Sequence, residues 1–377
     1  MHRLIAPAAL VALAACSAQS DGNNTTAATA TPSMATTPIV TSTDAPVASP
    51  VAAATPPKPG DLKIFGDWIV GCDNTLHCTM ASLGEGADFP KVNLALERAA
   101  GPVGAITLTL QPNDVGNGPP PVPASLAIDS KPVAGRFAAG DQPTLTGTDA
   151  TAIATAMADA QTLTIRNATG AAVGTLSLKG ASAALRYIDA QQGRVGKQTA
   201  IVARGAQPAS NVPAGPVTPQ IVAVVPIGPP ATPSSSLVAK MTTQAGCDDA
   251  GPGGALQSFA MGGAATLVLV PCGSGAYNVS SALFVMRGDE VAPAQIDAPS
   301  GFTESDAIQP VPQVVNGDFE KGVLTSYAKG RGLGDCGVEQ QFVWDGARLR
   351  LSEQSAMGDC RGNPNFITLW RAKVARR

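Results

Sequence analysis

The stretch FGDWIVGCDNTLHC, residues 65–78, places Cys72 and Cys78 six positions apart, with His77 beside the second. Met80 follows two residues later. A soft set of thiolate, imidazole and thioether is the chemistry of a copper site. Two cysteines in an exported chain are equally the chemistry of a disulfide. If LHCTMAS is a strand, Cys78 and Met80 share one face and His77 points to the other. The three then do not converge on one ion, and the expectation is a disulfide with no metal and no cofactor.

A second candidate is the repeated tripeptide GDC, at Asp335-Cys336 and Asp359-Cys360. A bridge between these cysteines would bring two carboxylates near each other. Paired carboxylates hydrolyse glycosides or hold Ca²⁺. In an antiparallel arrangement around such a bridge, however, Asp335 faces Arg361, so both aspartates are expected as solvated turn residues. Ser274 in PCGSGAY lacks the G-x-S-x-G spacing of a nucleophile elbow. The base it would need is limited to His77, the one histidine beyond residue 15. GRGLGDCG (330–337) has alternating glycines but no βαβ unit around it to make a phosphate loop. No catalytic residue is assigned. The segment YAKGRGLGDCG (327–337) is instead a candidate partner contact through Tyr327, Lys329 and Arg331. Tyr and Arg are enriched at binding hot spots, and the intervening glycines allow close backbone approach.

The N-terminus indicates where such chemistry would take place. Leu4–Ala15 is an apolar run broken by Pro7, too short to span a bilayer and of the size of a signal-peptide core. It ends Leu13-Ala14-Ala15-Cys16, which resembles the bacterial lipobox, so Cys16 is expected to carry the lipid. Ser17 follows it rather than Asp, which by the usual sorting rule favours the outer membrane, facing the periplasm. Residues 16–60 are Ala-, Thr-, Ser- and Pro-rich without an aromatic residue, a composition that cannot offset the entropy of ordering. They read as a tether. As a coil, such a segment has an end-to-end distance of roughly 35–40 Å.

Without residues 1–15 the chain carries 24 basic and 28 acidic residues, which gives no basic footprint for nucleic acid. All 15 aromatic residues lie between Phe65 and Trp370, so the folded part begins near residue 61. Six cysteines remain there: Cys72, Cys78, Cys247, Cys272, Cys336 and Cys360. They allow fifteen pairings; nearest neighbours are the expectation. The chain-entropy model assigns roughly 2.4 kcal/mol to the first loop and roughly 3.5 kcal/mol to each of the others.

The elements that must position these groups are mostly strands. Val92, Leu94 and Leu96, then Ile106, Leu108 and Leu110, alternate with polar or small residues, the period of a half-buried strand. QTLTIRN and VGTLSLKG do the same less regularly. Helices are expected at 148–160, capped by Thr148 or Asp149, and at 181–193, capped by Ser182 and closed by Gly193. A short helix is expected before Cys247. The Pro-rich stretch 207–235 reads as a linker or crossing between a β-rich domain at 61–206 and a second at 236–377. The overall expectation is mainly β, two sandwich-like domains with a few short helices. Asp345-Gly346 is the clearest hairpin signal. A two-residue turn there pairs Trp344 with Ala347, Phe342 with Leu349 and Gln340 with Leu351, and the second strand must leave the ladder near Glu353 if Cys336 meets Cys360.

FGDWIVGCDNTLHC, CGSGAYNVSSALFV, YAKGRGLGDCG and FVWDGARLRL together resemble, in order, the bacterial domain of unknown function 1176 family over most of residues 62–373. The FGDW opening with its nearby cysteine more faintly resembles the invasion-associated locus B family. The resemblance implies an exported envelope protein, supplies no catalytic residues, and is compatible with neighbouring cysteines being paired. The function expected is a lipid-anchored, non-enzymatic module that binds an envelope protein or a cell-wall component. A glycan hydrolase using Asp335 and Asp359 is the alternative.

Overall fold

Alternating runs such as Val92–Arg98 can bury one face of a strand and present the other. In the computed structural model, which describes residues 56–86, 89–114, 120–138, 140–247, 254–300 and 311–377, they do so in five sheets. Cys16 and the segments expected to be a signal sequence and, as far as residue 55, a tether lie outside the described residues.

The chain is mainly β. It begins with an antiparallel meander of β1 (Leu62–Phe65), β2 (Trp68–Cys72), β3 (Cys78–Ser82), β4 (Val92–Arg98) and β5 (Ile106–Pro112). After β6 (Ser125–Ile128) and β7 (Lys131–Pro132), β8 (Thr144–Thr146) joins the edge of this sheet beside β5. Helix α1 (Gly147–Met157) follows, then β9 (Thr162–Arg166), β10 (Ala172–Ser177) and α2 (Ala181–Gln191). Strands β10-β9-β6-β7 make a second sheet. One face of the first sheet (Trp68, Val70, Met80, Leu94, Leu96, Leu108, Leu110) packs against Leu126, Leu163 and Ile165 of the second sheet and Ile153, Met157, Leu185 and Ile188 of the helices.

The helix caps differ from expectation. Thr146, not Thr148 or Asp149, is the N-cap of α1, because β8 runs straight into the helix. Gly180, not Ser182, precedes α2, and Gln192 rather than Gly193 is its C-cap. A Cβ at Gly180 would lie 1.8 Å from the Phe65 carbonyl oxygen, so close approach of β1 requires glycine there.

The remaining strands are β11 (Gln220–Ala223), then, after α3 (Ser235–Ala245), β12 (Gln257–Gly262), β13 (Ala265–Ser274), β14 (Val279–Arg287), β15 (Glu290–Pro293) and β16 (Gln313–Val315). They are followed by β17 (Asp318–Glu320), β18 (Val323–Lys329), β19 (Gly337–Trp344), β20 (Leu349–Met357), β21 (Ile367–Arg371) and β22 (Lys373–Arg376). Strands β12 to β16 form one sheet and β17 to β21 another. Leu267, Leu269, Leu283 and Val285 pack against Leu324, Phe342 and Leu351 between them. Helix α3, capped by Ser234 Oγ and ended by Gly246 in the left-handed region, covers Val268, Val270 and Phe284 on the far side. Strand β11, within the Pro-rich crossing, pairs in parallel with β22.

The second face of the first sheet is also covered. Ile69, Ala81 and Leu83 pack against Met357, Ile367 and Leu369, so β2 and β3 are sandwiched between two cores. Polar ties reinforce this junction: Arg361 meets Asp67 at 2.6 Å, Arg371 pairs with Asp73, and Asn363 donates to the Ser82 carbonyl at 2.6 Å.

The hairpin register is shifted by two residues from the expected one. Trp344 pairs with Leu349 and Phe342 with Leu351. The cause is the Asp345 side chain, whose Oδ1 accepts from the backbone N–H groups of Ala347 and Arg348, each at 2.8 Å. This closes a four-residue loop instead of a two-residue turn. A shift of two keeps every side chain on its face. A bulge at Gln341/Phe342 then adds one residue, and β20 continues to Met357 rather than leaving near Glu353.

Candidate functional site

Three disulfides are present: Cys72–Cys78, Cys247–Cys272 and Cys336–Cys360. Cys72 and Cys78 are direct cross-strand partners on β2 and β3. The tight loop between them is organised by buried Asp73, whose Oδ1 accepts from Thr75 N at 2.7 Å and His77 N at 3.1 Å. Cys78 and Met80 face the core, while His77 lies 3.3 Å from Glu97 on the opposite face. Among the described residues no cluster of three or more His, Cys, Asp or Glu side chains is arranged to hold a metal.

Asp359 is the partly exposed residue of the β20–β21 connection that the sequence suggests, whereas Asp335 is not solvated. Asp335 is 0% exposed. Arg331 grips it with Nε to Oδ1 and Nη2 to Oδ2, both at 2.6 Å, and Gly362 N donates to Oδ2 at 2.7 Å. Burial pushes the Asp335 carboxyl upward, but these donors together hold it below the ordinary aspartate value. Arg361, the expected partner of Asp335, instead reaches Asp67 and stands 4.0 Å from Asp359.

The proposed contact segment is also more structured than a free loop. Tyr327 and Lys329 belong to β18, and only the residues from Gly330 onward form the loop. The Tyr327 hydroxyl donates to the Gly334 carbonyl at 2.6 Å, its ring meets Phe366 edge-on at 5.7 Å, and the Lys329 ammonium lies 5.5 Å from the ring centre. Leu333 and Tyr277 are the exposed apolar side chains of this end.

Tyr327 faces inward because it lines a cleft of about 460 Å³. One wall is the second face of the first sheet: Thr79 and Ala81 on β3, Ala95 and Glu97 on β4, Thr109 and Gln111 on β5. The other wall carries Tyr327, Glu339, Glu353, Ser355 and Thr368 from β18 to β21, with Asn365 and Phe366 from the loop before β21. The two sheets touch at Ile69 and Leu369 and separate towards β4 and β5, which leaves this space. Its groups are hydroxyls, carboxamides and three carboxylates around one aromatic pair. The carboxylates differ in character. The hydrogen bond from His77 holds Glu97 below its usual range. Burial, and then the charge of Glu353, raise Glu339. Burial also raises the Tyr327 phenol, with Glu339 and Asp335 adding to it.

Sequence reading missed this cleft because its residues are drawn from positions 79 to 368. A signal was nevertheless present. In β4 the face opposite Val92, Leu94 and Leu96 is Asn93, Ala95 and Glu97, and β3 presents Ala81 there. Small residues on a nominally polar face mark a surface that something else approaches.

A two-sided β scaffold, closed by three disulfides and opening into a polar cleft, defines the kind of protein this is. The chain belongs to the family described as protein of unknown function DUF1176, whose model matches residues 62–373. It is 28% identical over 333 residues to the uncharacterized protein YpfG of Escherichia coli strain K12, covering 82% of this chain and 92% of that protein. No solved structure matches it significantly.

Proposed function

We propose that this protein is a lipid-anchored component of the bacterial envelope that binds a cell-wall glycan in the cleft between β3–β5 and β18–β21, without transforming it. The observation that carries the reading is the lining. Carboxylates and carboxamides (Glu97, Glu339, Glu353, Gln111, Asn365) pair with sugar hydroxyls, and an aromatic pair (Tyr327, Phe366) offers an apolar surface beside them. The lipidated Cys16 and the tether would hold this cleft away from the membrane and within reach of the wall, with the outer membrane as the anchor and an envelope protein as the alternative ligand. The mature protein is expected to co-sediment with purified peptidoglycan sacculi and to release no soluble fragments. Failure to co-sediment removes the glycan reading.

The competing reading is a glycan hydrolase. Asp335 has both carboxylate oxygens engaged and is poorly placed to serve it. The upward shift of Glu339 by burial and by Glu353 is the observation in its favour, because a general acid is a carboxyl whose surroundings favour its neutral form. Soluble glycan released in the same incubation, and lost in Glu339→Gln, would establish hydrolysis instead.

For the anchor, Cys16→Ser is expected to move the protein from the membrane fraction to the soluble periplasm or to leave it uncleaved. Acyl chains contribute about 0.8 kcal/mol per buried CH₂, so their loss is large. Unchanged processing and fractionation would end the lipoprotein reading.

A further inference from the structure

One row of side chains crosses a wall of the cleft from strand to strand. Tyr327 on β18 pairs with Glu339 on β19, Glu339 with Ser355 on β20, and Ser355 with Thr368 on β21, and all four line the cleft. Glu353 stands two residues before Ser355 on β20, so it is the diagonal neighbour of Glu339. Such neighbours on an antiparallel pair lie roughly 7–8 Å apart, within joint reach of two long side chains. Neither Glu339 nor Glu353 makes a hydrogen bond or ion pair with another described residue.

Among the described residues, the lining holds three carboxylates and no lysine or arginine. Glu97, on the opposite wall, is met by His77. Arg371, across from Glu353, is engaged by buried Asp73, and the Lys329 ammonium lies over the Tyr327 ring without lining the cleft. The uncompensated charge is therefore that of Glu339 and Glu353, and it acts on itself: burial first, then Glu353, raises Glu339. A separate observation points to the group that would relieve it. Ser355 is 8% exposed and lines the cleft, yet its hydroxyl has no hydrogen-bond partner among the described residues. A buried polar group without a partner is costly, and this one opens into the space that Glu339 and Glu353 flank. A metal ion is a poor occupant, because no three carboxylate, thiolate or imidazole groups of the described residues converge as metal ligands.

We propose that Glu339, Glu353 and Ser355 together receive a protonated primary amine of the wall polymer. The inference rests on the cell-wall reading above and names the group by which that ligand is recognised. An alkylammonium has three N–H donors and no acceptor. The site answers with three acceptors, two carboxylates and one hydroxyl. Hydrogen bonds between ionised partners are shorter and stronger than neutral ones, so the amine outweighs any one sugar hydroxyl in the same cleft. The edge-on pair of Tyr327 and Phe366 offers an apolar surface to the carbons that carry the amine. Within the wall such an amine belongs either to a peptide or to a sugar without its acetyl group, and the recognising chemistry is the same for both.

The test uses the mature, non-lipidated full chain and two preparations of sacculi, native and with their amines acetylated. Wild type is compared with Glu339→Gln/Glu353→Gln and with the control Glu290→Gln/Glu320→Gln, which removes two exposed carboxylates outside the cleft. Wild type and control should bind acetylated sacculi at least about tenfold more weakly than native ones, the size of one charged hydrogen bond. The cleft variant should bind both preparations equally. Calorimetry with Nα-acetyl-lysine amide and with methyl glucosaminide assigns the source: the tighter probe, at a Kd of about 1 mM, identifies a peptide or a sugar amine. Ser355→Ala should weaken that probe about threefold. Equal binding of native and acetylated sacculi by wild type overturns the amine site and leaves the cell-wall reading standing. Loss of the acetylation effect in the control would show that bulk charge carries it, which overturns the amine site too. If wild type binds neither preparation, the cell-wall reading fails and the soluble probes decide: binding that weakens in the cleft variant sustains the amine site, and no heat with either probe overturns it.

Discussion

Replacing Asp189 by asparagine is expected to destabilise the protein by about 3–5 kcal/mol, the cost of removing one partner from a buried charge network. The carboxylate is fully buried and does four jobs at once. Oδ1 accepts from Ile201 N at 2.9 Å and from Arg98, while Oδ2 accepts from Val202 N at 2.9 Å and Ala203 N at 3.1 Å. Asparagine keeps the shape but turns one acceptor into a donor facing backbone N–H groups, and it leaves Arg98 and Arg194 without their shared counter-charge. Residues 194–206 contain no helix or ladder strand, so these bonds are a large part of what holds that segment against α2 and β4. A typical domain has about 5–15 kcal/mol in all, so the variant sits near the threshold of folding. Urea denaturation measures it; a loss below about 1 kcal/mol, the worth of one ordinary hydrogen bond, would show that the network is not what orders this segment.

Asp335→Asn is expected to be nearly as costly, about 3–4 kcal/mol, by the same argument. The carboxylate ties Arg331 in the loop after β18 to Gly362 in the loop before β21, beside the Cys336–Cys360 bond. Asparagine would set a second donor against either Arg331 or Gly362 N. The pH dependence provides a separate check. The folded-state pKa of Asp335 lies below its ordinary value of 3.8. Its contribution to stability is therefore present above that value and is lost as pH falls through the lower, folded one. Wild type should lose stability across this acid range more steeply than Asp335→Asn. Parallel acid limbs for the two proteins would contradict the role assigned to this carboxylate.

Much of this architecture was readable from local pattern. Leu94 and Leu96, Leu108 and Leu110, and Ile153 with Met157 are buried where their spacing puts them, because one face of a strand or helix must find a core. What local pattern could not convey is the second partner. Asp335 reads as a turn residue, since the groups that bury it, Arg331 and Gly362, converge only when β18 and the loop before β21 are brought together. The Asp345-Gly346 dipeptide marks the hairpin, but its register depends on a side chain bonding its own backbone, which a dipeptide rule does not see. By its chemistry Tyr327 reads as a loop contact; the strand alternation of VLTSYAK, with Leu324, Ser326 and Ala328 buried and Tyr327 on the other face, shows it to be a cleft wall. The cleft itself was illegible because no one segment contains it.

The central claim is that this cleft is the binding surface, and one comparison addresses it most directly. Wild type and the double variant Glu339→Gln/Glu353→Gln are incubated with purified peptidoglycan sacculi, and the bound fraction is measured by sedimentation over a range of sacculus concentrations. Both glutamates are outside the main cores, and Glu353 is exposed, so the double variant should fold with a Tm close to wild type. The account predicts that wild type binds and that the variant binds at least about tenfold more weakly, the equivalent of about 1.4 kcal/mol. Equal binding by the two proteins at equal stability would contradict it and place the contact elsewhere on the molecule.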